Sequence, residues 1–108
     1  MEQTAFVLVA GEDPARSEAI AQALRARGHA CRVVGTGAEA IRSVEDRPPD
    51  VVVTEHKPGG LIDGLEVLAR TRALSPETEV ILVTAHGDAS VARDAIKEGG
   101  AFDFLAWP

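Results

Sequence analysis

A chain of 108 residues holds one hydrophobic core and not two. A net charge of −6, no Tyr, three Phe and one Trp leave neither the basic surface nor the stacking platform that nucleic-acid binding needs. No apolar stretch approaches the ~20 residues that span a bilayer, no basic, apolar leader precedes Phe6, and the lone Cys31 has no internal disulfide partner. A soluble, cytoplasmic single-domain protein is expected, with Cys31 a small core residue.

Residues 4–10 read as a first strand. Asp13-Pro14 then starts a helix, since Asp accepts free backbone N–H groups at the N-cap and Pro has none to lose in the first turn. Ala19, Ile20, Ala23 and Leu24 recur at helical spacing, with Gly28 as the C-terminal cap. Residues 30–35 form a second strand. Thr36 with Glu39 makes a capping-box pattern ahead of a helix that buries Ile41 and Val44 and closes at Pro48-Pro49. Val51-Val52-Val53-Thr54 is a third strand that ends at a carboxylate, Glu55, and breaks at Pro58-Gly59-Gly60. Residues 64–74 are helical, with Leu65, Leu68 and Ala69 on one face, and stop at Ser75-Pro76. Residues 79–84 are a fourth strand. Asp88 caps a fourth helix with Val91, Ala92, Ala95 and Ile96 inward and Arg93, Asp94, Lys97 and Glu98 toward water. Gly99-Gly100 stops it, and residues 102–106 are a fifth strand. The chain has no internal repeat or linker.

Uninterrupted apolar runs alternating with amphipathic helices read as parallel strands buried on both faces. With right-handed crossovers this order gives a doubly wound α/β sandwich. The expected form is flavodoxin-like, with five parallel strands in the order 2-1-3-4-5. Glu12, Asp13 and Glu55 then meet at the carboxyl ends of the first and third strands, the edge where such sheets bind ligands. The fifth helix such a sheet calls for is absent from this sequence, which stops at Pro108. The apolar face left uncovered is costly at ~25 cal/mol per Å2, so residues 1–108 are expected to be a fragment of a longer protein, or to self-associate.

Four segments in register resemble the receiver domain of two-component response regulators: residues 7–14 (Val-Leu-Val-Ala-Gly-Glu-Asp-Pro), 49–55 (Pro-Asp-Val-Val-Val-Thr-Glu), 83–87 (Val-Thr-Ala-His-Gly) and 100–108 (Gly-Ala-Phe-Asp-Phe-Leu-Ala-Trp-Pro). The last two are most similar to receivers of enhancer-binding transcription activators. The resemblance implies phosphorelay signalling. It also implies an acidic pair after the first strand for Mg2+, an acceptor Asp after the third, a Thr or Ser after the fourth and a Lys after the fifth. Mg2+ wants hard oxygen ligands, and Lys and Thr bind phosphoryl oxygens.

This sequence keeps Thr84 and departs elsewhere. Gly11 stands at the first acid, Glu12 at the second, with Asp13 beside it; Glu55 stands at the acceptor and Trp107 at the Lys. The loop from Glu55 to Asp63-Gly64 is one residue longer than the usual spacing. Glu55 carries its carboxylate roughly 1.5 Å farther out than Asp, and a misplacement of ~1 Å can cost about a hundredfold in a positioned reaction. Trp107 removes a fixed cation. Phosphorylation is therefore not expected. Glu55 either imitates a phosphorylated Asp by reaching Thr84, imperfectly because one charge replaces about −1.5 to −2, or is a polar residue in a degenerate pocket. Glu12, Asp13 and Glu55 are at most weak Mg2+ ligands, with no other cofactor expected. His29, His56 and His86 lack metal-site spacing.

The leading expectation is a non-enzymatic pseudo-receiver acting through protein contacts. Its partners would be an output domain or partner protein, in one case a histidine kinase, or a second copy, with Trp107 as an interface anchor. The alternatives are a working receiver phosphorylated on Glu55 with Mg2+, and a small-ligand binder on the same fold. Neither a Gly-x-Gly-x-x-Gly nor a Walker-type loop supports the latter.

Overall fold

Apolar runs and capped helices alternate along the chain, and the computed structural model describes residues 4–84, 90, 93, 97 and 100–106. The elements are β1 (Phe6–Ala10), α1 (Pro14–Arg25), β2 (Ala30–Val34), α2 (Gly37–Asp46), β3 (Val51–Glu55), α3 (Gly64–Leu74), β4 (Glu79–Thr84) and β5 (Asp103–Ala106). Ser90, Arg93 and Lys97 are helical and exposed. The expected cap Asp88, the inward Val91, Ala92, Ala95 and Ile96, the outward Asp94 and Glu98, His86 and Trp107 lie outside the described residues.

The strands form one flavodoxin-like parallel sheet in the order β2-β1-β3-β4-β5. Val9 lies between Val33 and Val53, and Ala10 between Val34 and Thr54. Alternation along each strand sends side chains to two opposite cores. Leu8, Ala10, Val52, Val80 and Leu82 pack against Ala40, Ile41 and Val44 of α2 and Val67 and Leu68 of α3. Val7, Val9, Val53 and Val83 face the other way, against Ile20 and Leu24 of α1. No helix among the described residues is long and apolar enough to cross a membrane.

The helix starts follow local chemistry. Asp13 accepts from the Ala15 and Arg16 amides at 3.0 and 3.4 Å, Thr36 from Glu39 at 3.1 Å, and Asp63 from Glu66 at 2.9 Å. Each such cap is worth about 1 kcal/mol. Past the end of α1, Gly28 adopts φ +92°, which a side chain would resist.

Two buried faces differ from the sequence expectation. In α1 the innermost residues are Ser17 and Ala21, with Ile20 and Leu24 beside them, while Ala19 and Ala23 are exposed. In α3 Val67, Leu68 and Thr71 are buried and Ala69 is exposed. Alanine gains little from burial, so its spacing is a weak guide to the inner face. Strand ends differ by one or two residues: β1 begins at Phe6, β2 stops at Val34 and β5 begins at Asp103. Before β1, the Ala5 amide donates to His29 Nδ1 at 3.0 Å, so that histidine ties the chain entering the strand. Cys31 is half-buried and packs against the α1-side core. Burial pushes its thiol pKa above the ordinary value, with Arg25 opposing and Glu18 adding to the rise.

Candidate functional site

The carboxyl ends of β1 and β3 open onto a cleft of about 370 Å3 lined by Glu12, Asp13, Arg16, Glu55, His56, Lys57 and Val83. Parallel pairing of the two strands brings it together, since Ala10 opposite Thr54 leaves the β1–α1 turn beside Glu55. The sequence-expected acids Glu12, Asp13 and Glu55 do meet here.

Glu55 is the last residue of β3 and its side chain is only 15% exposed. Both carboxylate oxygens are engaged. Oε1 accepts from the Glu12 backbone N–H at 3.0 Å, and Oε2 takes a 2.8 Å ion pair from the Arg16 guanidinium. Charge-assisted bonds of this kind are the strong ones. Arg16 also stands 3.9 Å from Asp13 Oδ2. Strand alternation explains the direction: Glu55 continues Val51 and Val53 on the α1 side, whereas Thr84 continues Val80 and Leu82 on the opposite side. Thr84 is buried at the end of β4, and the bonds that hold Glu55 run to the β1–α1 turn, not to Thr84.

Gly11 makes room for this arrangement. A Cβ built on it would fall within 3.0 Å of both Glu55 Oε1 and Ser17 Oγ, closer than real Cβ atoms come. Gly11 and Glu55 are thus coupled: the Glu55 side chain folds back into space that a Cβ at position 11 would occupy. The loop after β3 is seated by a second glycine. Gly59 has φ +109°, its Cβ would collide with the Gly35 carbonyl, and its own carbonyl accepts from the Gly37 amide at 3.3 Å.

Two cleft residues escaped sequence reasoning, Arg16 and Lys57. Lys57 carried no signal. Arg16 did: it is the third residue of α1, at the positive end of the helix dipole, where an acid is favoured and α1 has none. An arginine there needs an anion from elsewhere in the fold.

The donor set matches magnesium poorly. Mg2+ demands near-octahedral oxygen coordination, but Asp13 Oδ1 is spent on two helix amides and Glu55 on Glu12 and Arg16. Among the described residues no group of three His, Cys, Asp or Glu side chains comes together as a metal site.

Residues 7–108 match the family described as the response regulator receiver domain. The chain belongs to that family. Over 98% of its length it is 32% identical to the DNA-binding transcriptional regulator NtrC of Escherichia coli K12, and it covers 22% of that protein. It is 37% identical over 94% of its length to the transcriptional regulatory protein TcrA of Mycobacterium tuberculosis, of which it covers 40%. The crystal structure of the receiver domain of NtrX from Brucella abortus superposes with a TM-score of 0.88 at 29% identity, covering 94% of this chain and 85% of that one. This receiver domain therefore spans less than half the length of these two curated relatives.

Proposed function

We propose that this receiver domain works in two-component signalling by docking to other protein surfaces, outside a phosphorylation cycle. The observation that carries the reading is the engagement of Glu55, at the acceptor position, by Arg16 at 2.8 Å and the Glu12 amide at 3.0 Å. A carboxylate attacks phosphorus with a free oxygen lone pair. Here the Glu12 amide and Arg16 each take one lone pair on a Glu55 oxygen and draw charge from the carboxylate, which makes it a poorer nucleophile. The ion pair is costly to break because Glu55 is largely out of water. An incoming phosphoryl donor would also meet Glu12 and Asp13 at the mouth of the cleft.

On this reading the domain is a signalling module, not an enzyme. Its contacts are with an output domain or partner protein, or with a second copy, and transcription regulation follows from the resemblance to NtrC and TcrA. Direct DNA contact is left to other parts of such regulators, since this domain carries a net charge of −6. The test is incubation with acetyl phosphate and Mg2+ followed by intact mass spectrometry. The unmodified mass is expected throughout; a phosphoryl adduct mapped to Glu55 would overturn the proposal.

A further inference from the structure

We infer that Arg16 is a counter-ion built into the chain: its guanidinium neutralises the acids at the β1–β3 edge, the task the family resemblance assigns to Mg2+, and so makes the cleft blind to divalent cations. The inference deepens the reading of a cleft outside the phosphorylation cycle and rests on it.

Three observations converge on Arg16. It sits at the third position of α1, where the dipole disfavours a cation, so helix formation does not account for it. Its guanidinium meets acids from two separate segments, Glu55 at 2.8 Å and Asp13 at 3.9 Å, the former 39 positions away in sequence. The planar fork of arginine suits carboxylates better than a lysine ammonium does. Finally, Gly11 vacates the space into which the Glu55 carboxylate turns to reach this partner. Gly11, Glu55 and Arg16 act as a set: a glycine gives room, a lengthened acid uses it, and an arginine answers the charge. The cleft holds three carboxylates against Arg16 and Lys57. A divalent ion drawn to Glu12 and Asp13 would meet the guanidinium seated between Asp13 and Glu55, which it would have to displace to add Glu55 as a ligand.

Arg16 is a positioning residue, and its removal should free a metal site. The experiment titrates Mn2+ and Mg2+ into the wild type, Arg16→Ala and Arg16→Lys. It reads the broadening of the Glu12 and Glu55 amide resonances by Mn2+ and the thermal midpoint with Mg2+. The wild type and Arg16→Lys are expected to show neither effect, since both keep a cation beside Glu55. Arg16→Ala is expected to bind Mn2+ at least about tenfold more tightly, through removal of one nearby positive charge, and to rise in thermal midpoint with Mg2+. Arg16→Gln, which keeps the side-chain stem and drops the charge, gives the same readout if the alanine variant does not fold. Mn2+ broadening in the wild type equal to that in Arg16→Ala, or none in either neutral variant, overturns the inference. Phosphorylation of the wild type would end the docking proposal by a different measurement, mass, whereas metal-blind neutral variants would end this one alone.

Discussion

Helices α2 and α3 begin with a capping side chain followed three residues later by an acid, Thr36 with Glu39 and Asp63 with Glu66; α1 begins with Asp13 and places Arg16 there instead. The charges of the first two starts suit the helix dipole and call for no counter-ion from elsewhere in the fold. The third works against the dipole and draws its closest counter-ion, Glu55, from another strand. Departures from local consistency concentrate at functional sites, and here the departure lies at the β1–β3 edge that opens onto the cleft. Two helix starts serve their own helices, while the third serves the cleft.

The comparison can be broken at its tightest point by giving position 11 a side chain. Gly11→Asp is expected to cost about 1–3 kcal/mol in denaturant unfolding, the usual range for overpacking, because its Cβ meets Glu55 and Ser17. Adding Glu55→Asp to that variant should recover part of the loss, with a coupling of about 0.5–2 kcal/mol. Strict additivity of the two substitutions would show that Gly11 and Glu55 are not coupled. Imposing the pattern of α2 on α1 is the next test. Arg16→Glu gains a few tenths of a kcal/mol from the dipole and loses the ion pair while adding a like charge. A net loss of about 1–2 kcal/mol is expected, and a neutral or stabilising result would contradict the role given to Arg16.

Much of this was legible in the sequence. The apolar runs ending at Ala10, Thr54 and Thr84, the caps at Asp13 and Thr36 and the breaks at Pro48-Pro49 and Ser75-Pro76 each name a local cause, and local causes can be read residue by residue. The meeting of Glu12, Asp13 and Glu55 followed from strand order alone. Arg16 was not read, because a charged residue on an amphipathic helix is by default a solvated one, and its partner lies on a distant strand. Gly11 was legible only as a missing acid; that it vacates volume for Glu55 is a three-dimensional fact. Of the two readings of Glu55, the reach toward Thr84 depends on which face each side chain takes, and strand alternation sends the two to opposite faces. Ala19, Ala23 and Ala69 misled because alanine fits either face of a helix equally well.

Smaller effects sharpen the contrast. The exposed Arg70–Glu66 pair of α3 spans four residues at 3.2 Å with both side chains about half exposed, so its double-mutant coupling should be about 0.3–0.5 kcal/mol and vanish in high salt. The Arg16–Glu55 coupling should be larger and persist, since Glu55 is largely buried. Equal salt sensitivity of the two pairs would remove the distinction drawn between helix starts. Smallest of all, Cys31 is expected to alkylate more slowly at neutral pH than a free thiol, because burial holds its pKa up. A rate equal to that of a free thiol would count against the packing of β2 on α1.

A crystal of this receiver domain grown with beryllofluoride and Mg2+ interrogates the cleft most directly. The account predicts Glu55 still paired with Arg16 and the Glu12 amide, with neither beryllium nor magnesium at the tip of β3. A trifluoroberyllate bonded to a Glu55 oxygen, with Mg2+ held by Glu12 or Asp13 and Arg16 swung aside, would contradict it.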